Sequence, residues 1–143
     1  MIYISHRGNI NGKNTELENN PNYIDNALNE GFNVEVDVWF MNNNFLLGHD
    51  KGSYKVDFNY LKNSKIWCHA KNIEAMLELK KHNCIYFWHQ NDDVTLTSNG
   101  YFWTFPGKII SKNSICVLPE MNSYKKMDCA GICSDFIKKY KND

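Results

Sequence analysis

Short apolar runs separated by polar and turn-forming residues make up most of this chain. The runs are rich in β-branched and aromatic residues, and most of them lack a strict alternation of apolar and polar positions. Runs of this length and composition are typical of strands that are buried on both faces of a sheet. We therefore predict eight strands, at Ile2–Ser5, Asn33–Phe40, Lys65–His69, Cys84–His89, Val94–Thr97, Tyr101–Phe105, Ser114–Leu118 and Gly131–Ser134.

Three other segments have the features of helices. Pro21–Gly31 begins with proline, repeats apolar residues at helical spacing and ends with glycine, which is the usual asymmetry of a helix. Asn72–His82 begins with a residue that caps helices and ends with Lys-Lys-His, which complements the helix dipole. Phe136–Lys141 is a third, short candidate.

The alternation of strands and helices predicts an α/β fold. Strand–helix–strand units imply parallel pairing with right-handed crossovers. However, the connections 89–94 and 97–101 are too short for a helix, and a full barrel of this type needs about 250 residues. We therefore predict one domain over residues 1–143, a reduced TIM-type (β/α)8 barrel with several outer helices missing.

Charge and apolar content argue against nucleic acid and membrane partners. The 16 Lys and Arg residues balance the 16 Asp and Glu residues, so no overall field attracts nucleic acid or anionic lipid. No run reaches the roughly 18 apolar residues of a membrane helix, and the first residues lack the pattern of a signal peptide. The 5 cysteines form no zinc-binding pattern, so we expect reduced thiols in a cytoplasmic protein.

Glu35 and Asp37 place two carboxylates on one face of the second predicted strand, because strand side chains two residues apart point the same way. The valines at 34, 36 and 38 indicate that this strand is buried. Adjacent carboxylates repel unless a positive charge lies between them. A divalent cation such as Mg²⁺, Ca²⁺ or Mn²⁺ suits such oxygen ligands. The alternative is an exposed edge strand with two solvated acids.

His6, Arg7 and His49 add the groups that handle a phosphate ester. His6 and Arg7 follow the first predicted strand, and His49 with Asp50 follows another short apolar segment. Arginine offers a planar fork that matches phosphate oxygens, and histidine titrates near neutrality. These residues follow the carboxyl ends of predicted strands, where barrels bind their ligands.

The third predicted strand and the later part of the chain extend this set. His69 and Lys71 share one face, and Lys71 is a candidate phosphate contact, or an acid or base if desolvated. The alternative for Lys71 is a surface position at the start of a helix. Glu120 is a candidate metal ligand at the barrel mouth, whereas Asp135 could as easily cap the terminal helix.

Together these residues resemble the signature of the glycerophosphodiester phosphodiesterase family. The matching motifs are His6-Arg7-Gly8, Glu18-Asn19, Glu35-x-Asp37, His49-Asp50 and a closing segment, Gly131-Ile132-Cys133-Ser134-Asp135. The resemblance implies a TIM barrel of the phospholipase C-like phosphodiesterase type. It also implies that His6 and His49 are the acid–base pair and that Arg7 binds phosphate. Lys71 matches the family's lysine at the end of the third strand, as a catalytic and phosphate-binding residue.

The resemblance also implies that Glu35 and Asp37 bind one divalent cation. The family has a third metal-binding glutamate two residues before the lysine, whereas this chain has His69. A neutral imidazole is a poorer ligand than carboxylate for Ca²⁺ or Mg²⁺ and a better one for Mn²⁺ or Zn²⁺. Either His69 alters the metal preference, or another acid such as Glu120 completes the shell, or metal binding is weak.

The sequence thus predicts a metal-dependent phosphodiesterase that hydrolyses a small polar diester such as a glycerophosphodiester. One of the two histidines would accept the proton of the nucleophile and the other would protonate the leaving alkoxide, and their order stays open. Glu18 and Asp50 are expected to contact the catalytic and phosphate-binding side chains without touching the substrate. The alternative is a non-catalytic barrel that binds a phosphate or sugar phosphate through a degenerate metal site. That alternative follows from His69 and from the lack of room for a segment that covers the substrate.

Overall fold

The computed structural model describes residues 1–122 and 127–142. The strands in these ranges are β1 (Ile2–His6), β2 (Asn33–Met41), β3 (Asn44–Leu47), β4 (Tyr54–Val56), β5 (Ile66–Ala70), β6 (Ile85–Trp88), β7 (Val94–Leu96), β8 (Phe102–Thr104), β9 (Ser114–Val117) and β10 (Gly131–Ser134). The helices there are α1 (Pro21–Asn29), α2 (Phe58–Leu61), α3 (Ile73–Leu79) and α4 (Ile137–Asn142), and Pro119–Met121 forms a 3-10 turn.

All eight predicted strands and all three predicted helices are present. Each predicted strand end lies within one residue of the observed end, because short apolar β-branched runs carry a strong local signal. Strands β3 and β4 and helix α2 were not predicted. Strand β3 follows a tight turn at Asn42 and Asn43, where φ is 49° and 58°. Two consecutive residues with positive φ make the reverse turn that joins antiparallel strands.

The predicted reduced (β/α)8 barrel is wrong. The structure is a curled, mixed sheet that forms a half-barrel with few helices. Seven strands pair in parallel in the order β6–β5–β2–β1–β10–β9–β8. Strands β3 and β4 extend β2 in antiparallel fashion, and β7 runs antiparallel to β8. A parallel crossover needs a dozen or more residues, so the short connections around β7 reverse the chain instead of adding a helix.

The two faces of the sheet carry different side chains. On β2 the buried residues Val34, Val36 and Val38 face the core that α1 and α3 cover. Alternation then turns Glu35 and Asp37 to the inner face of the curl, where both are buried. The same strand therefore supplies both the main apolar core and the carboxylates of the candidate site.

An aromatic cluster fills the inner face below those carboxylates. The ring centroids of Phe87 and Trp103 lie 4.4 Å apart, and those of Trp67 and Trp103 lie 6.1 Å apart. These rings come from β5, β6 and β8, and neither β5 nor β6 is hydrogen-bonded to β8. Their contact shows that the sheet curls around this cluster, so that the carboxyl ends of its parallel strands meet at one rim.

None of the helices in the described ranges is long and apolar enough to span a membrane. All five cysteines lie within these ranges and are free thiols.

Gly8 makes the turn that brings the start of α1 against the end of β1. A substitution at Gly8 therefore tests how tightly α1 packs against the carboxyl end of β1. Its φ is +95°, and a Cβ there would lie 2.7 Å from Cδ1 of Tyr23. Gly100 has a similar φ of +90° but nothing within 4 Å. We expect Gly8→Ala to lower the free energy of unfolding by about 2–4 kcal/mol, and Gly100→Ala by about 1 kcal/mol. Urea unfolding of both variants measures the difference, and equal losses would contradict close packing at Gly8.

Candidate active site

Six of the residues predicted from the sequence line one cavity of about 390 Å³ at the rim of the sheet. They are His6, Arg7, Glu35, His49, His69 and Lys71. Five of them reach this place because β1, β2 and β5 are parallel neighbours, so their carboxyl ends lie side by side. His49 follows β3, which is antiparallel to β2 and ends beside Asp37. Register pairs His6 with Glu35, and Asp37 with His69.

Asp37 is fully buried and contacts most of the polar groups around it. Its Oδ2 accepts a hydrogen bond from Asn19 Nδ2 and lies 2.9 Å from Arg7 Nε. Its Oδ1 lies 3.3 Å from His69 Nδ1 and 3.5 Å from Lys71 Nζ. Burial raises the pKa of Asp37, but the His69 contact and the Arg7 charge outweigh it and hold that pKa below its usual range. Asp37 is therefore an anion that these cations stabilise.

The backbone around Arg7 is bent to aim its side chain at this anion. Arg7 and Asn19 have φ values of 55° and 64°, a region that costs energy for non-glycine residues and recurs at functional sites. The backbone N of Arg7 donates to Glu35 O, and its carbonyl accepts from Asn19 N. Strand β1 pairs with β2 only as far as Glu35. Beyond it, the Asn19 side chain accepts from the Asp37 backbone N at 2.9 Å and continues the ladder.

His69 lies between the two carboxylates. Its Nε2 donates to the carbonyl of His89 at 2.8 Å, and its Nδ1 faces Glu35 Oε1 at 3.6 Å. The ring also stacks on Phe87, with centroids 5.1 Å apart. Burial lowers the pKa of His69, but Asp37 and Glu35 outweigh it and raise the pKa to about 9. At neutral pH and without metal, His69 is therefore an imidazolium between two carboxylates.

Glu35, Asp37 and His69 together could hold a divalent cation. Their ligating atoms all lie within 4.8 Å of one another. In the part of the chain that the structure describes, three buried side-chain atoms lack a hydrogen bond: Arg7 Nε, Glu35 Oε2 and Asp37 Oδ1. Two of these are carboxylate oxygens of the cluster, and they gain a partner if a cation binds. Because Nε2 of His69 is anchored on a carbonyl, deprotonation leaves Nδ1 as a directed ligand.

His6 is held by a carboxylate from the last strand. Its Nδ1 donates to Asp135 Oδ1 at 2.7 Å, which leaves Nε2 3.9 Å from Glu35 Oε2. Burial raises the pKa of Asp135, but the hydrogen bond from His6 outweighs it, so the pKa is lowered. Asn9 Nδ2 also donates to Asp135 Oδ1, at 2.8 Å. Asp135 thus orients the His6 ring and stabilises it when it is protonated.

The sequence does not predict that Asp135 and Asn9 belong to the site. It predicts Glu120 as a candidate metal ligand, and the structure gives Glu120 a different role. Glu120 accepts hydrogen bonds from Ser134 Oγ and from the Asp135 backbone N, both at 2.9 Å. Its carboxylate is therefore outside the Glu35, Asp37 and His69 group and holds Asp135 in place. The signal for Asp135 lies in strand pairing, because β1 and β10 align Ser5 with Ser134 and so make the next residues neighbours.

His49 stands at the rim of the cavity with the same type of support. Its Nδ1 lies 2.7 Å from Asp50 Oδ1, and the His49 side chain is 46% exposed. Asp50 therefore contacts the His49 ring at Nδ1. Each of the two predicted acid–base histidines thus has a carboxylate at Nδ1, which leaves Nε2 for proton transfer. His49 differs from His6 in that it reaches solvent.

Glu18 contacts Arg7 and Asn9. One of its oxygens accepts from Arg7 Nη1 at 3.1 Å, and the other accepts from Asn9 Nδ2 at 3.0 Å. Because Asn9 also binds Asp135, a continuous chain of hydrogen bonds links the Arg7 side of the cavity to the His6 side.

Comparison of the chain with family models, curated proteins and solved structures gives no significant match.

The raised pKa of His69 predicts how the stability of the metal-free protein depends on pH. The folded value, about 9, lies above the ordinary 6.5, so the stabilisation is complete below about pH 6.5 and is lost as pH rises through about 9. We expect urea unfolding in a chelator to lose about 2–3 kcal/mol over that range. His69→Gln should remove this loss, and His82→Gln, outside the cavity, should retain it. A loss of the same size in His69→Gln would contradict the assignment.

Proposed function

We propose that this protein is a metal-dependent phosphodiesterase of the glycerophosphodiester phosphodiesterase type. The observation that carries the proposal is the meeting, in one cavity, of two carboxylate-backed histidines, two cations, and Glu35 and His69, which form a cluster with the buried Asp37. The motifs of the first 50 residues give further support. The proposal includes a cytoplasmic location, which the free cysteines support.

His6 and His49 carry the protons in this proposal. A nucleophilic oxygen, from water or a substrate hydroxyl, attacks phosphorus and transfers its proton to the Nε2 of one histidine. The bond from phosphorus to the leaving oxygen breaks, and that oxygen takes a proton from the other histidine. Asp135 and Asp50 hold the rings by Nδ1 and stabilise the imidazolium that forms. With water as the nucleophile, the products are an alcohol and a phosphate monoester.

Arg7 and Lys71 bind the non-bridging oxygens of the phosphate. Both line the cavity, and the Lys71 side chain is 18% exposed, so its ammonium can reach a ligand while Asp37 holds it. Positive groups fixed in this way stabilise the negative charge of the transition state. Glu35, Asp37 and His69 would hold a divalent cation, which when bound neutralises phosphate charge and polarises the attacking oxygen.

One observation supports a second candidate function, the binding of a phosphate or sugar phosphate without turnover. The imidazolium of His69 already lies between Glu35 and Asp37. In that state the cluster needs no metal, and Arg7, Lys71 and His69 together form a cationic group.

The phosphodiesterase proposal predicts hydrolysis of bis(p-nitrophenyl) phosphate or of glycerophosphodiesters in the presence of Mg²⁺, Ca²⁺ or Mn²⁺, and its loss in a chelator. We expect His6→Gln to lower kcat/KM by about 10²–10⁴-fold, the usual contribution of a general acid or base. The matched control is His82→Gln, whose ring packs on Phe58 away from the cavity and which should retain full activity.

Two results of that experiment would decide against the phosphodiesterase. The first is no turnover with any of the metals. The second is turnover that His6→Gln leaves unchanged. Calorimetric binding of glycerol 3-phosphate in the chelator, without turnover under any condition, would favour the non-catalytic candidate.

His69 is expected to set the metal preference. Replacing its imidazole with a carboxylate in His69→Glu gives an all-oxygen ligand set, which favours hard cations. We expect the ratio of activity with Mg²⁺ or Ca²⁺ to activity with Mn²⁺ to rise about tenfold. A metal profile that is the same in His69→Glu and the natural protein would show that His69 does not ligate the ion.

A further inference from the structure

The cavity that holds the catalytic groups has an apolar wall that phosphate chemistry does not use. Besides the polar residues it is lined by Trp103, Phe105, Pro106, Val117, Leu118 and Met121. Trp103 is almost completely buried, at 3% exposure, whereas Phe105 is 41% exposed and Met121 is 68% exposed. The wall therefore runs from the aromatic cluster inside the curl to the open mouth of the cavity.

The backbone at this wall is also strained. Leu118 has a φ of 43°, an unfavourable value for a bulky side chain. Its backbone N donates to Cys133 O at 2.7 Å, and its side chain contributes to the lining of the cavity. Leu118, Phe105 and Met121 together present apolar surface to the cavity. In the absence of a ligand, this surface is in contact with water. Covering such surface is favourable in proportion to its area.

A second cavity, of about 510 Å³, adjoins the first and has a more polar lining. Its lining includes Lys13, Glu16, Lys51 and Ser53. Among the residues that line the two cavities, the shared ones are Arg7 and His49. The residues to which we assign phosphate binding and proton transfer therefore lie between a mainly apolar cavity and a more polar one.

We propose, on the basis of the phosphodiesterase function above, that the substrate is an amphiphilic phosphodiester with one apolar and one polar alcohol. The apolar group, a short alkyl chain or an aromatic ring, packs against Trp103, Phe105 and Met121. The polar alcohol extends past Arg7 and His49 into the second cavity. A cavity of 390 Å³ is large enough for a phosphate with such a group attached. The sequence alone predicts a small polar diester, and the apolar wall extends this prediction to a diester with one apolar alcohol.

The test compares two substrates that differ only in a six-carbon chain, glycerophosphocholine and its 1-O-hexyl ether, both below micellar concentration. With the metal that gives the highest activity, phosphorus-31 NMR follows the products. We expect kcat/KM to be at least about tenfold higher for the hexyl ether, because a few methylene groups leave water. In Phe105→Ser this ratio should fall towards one. The matched control Phe102→Ser, 38% exposed and absent from the lining of the cavity, should keep it.

The possible results separate this inference from the function on which it rests. Turnover of both substrates with a ratio near one, or a ratio that Phe105→Ser does not change, overturns the apolar subsite and leaves the phosphodiesterase standing. If neither substrate reacts, calorimetry with hexyl phosphate and methyl phosphate decides. A preference for hexyl phosphate of about tenfold that Phe105→Ser removes supports the apolar subsite while the phosphodiesterase fails. Equal affinities overturn both.

Discussion

The buried carboxylate of Asp37 is the interaction on which the rest of the site depends. A carboxylate without solvent is very unfavourable unless charges and hydrogen bonds compensate it. Here the compensation comes from Arg7 and Asn19 after β1 and from His69 and Lys71 at the end of β5. The contact with Asp37 also offsets the unfavourable desolvation of each of these partners. If one of them moved away, the Asp37 carboxylate would lose part of its compensation. The buried anion therefore fixes the positions of the groups that face the cavity.

The curl of the sheet turns this local arrangement into a cavity. Parallel pairing brings the carboxyl ends of β1, β2 and β5 to one rim, and β10 adds Asp135 beside His6. The aromatic cluster of Trp67, Phe87 and Trp103 fills the inside below them. This layered interior, apolar below and polar above, also explains why one wall of the cavity is apolar. The short connections around β7 leave no outer helices there, so the fold stops at a half-barrel.

The sequence was informative where the signal is local. Runs such as Asn33–Met41 are β-branched and apolar whatever their partners are, and an Asn42–Asn43 turn could have revealed the hairpin to β3. The charged residues after those runs were also recognisable, since a residue at a strand end can be read without knowing the strand order. Asp135 and Glu120 could not be assigned in this way, because their roles depend on β10 lying beside β1.

The amino-acid sequence alone therefore determines eight of the ten strands in the described residues and the chemical groups at their ends. These properties depend on neighbours within a few residues, such as the alternation that puts Glu35 and Asp37 on one face. The choice between a closed barrel of alternating helices and a curled mixed sheet depends on which distant strands pair. So do the apolar wall of the cavity and the carboxylate behind His6, because Asp135 lies 129 positions away along the chain and only strand pairing brings it there.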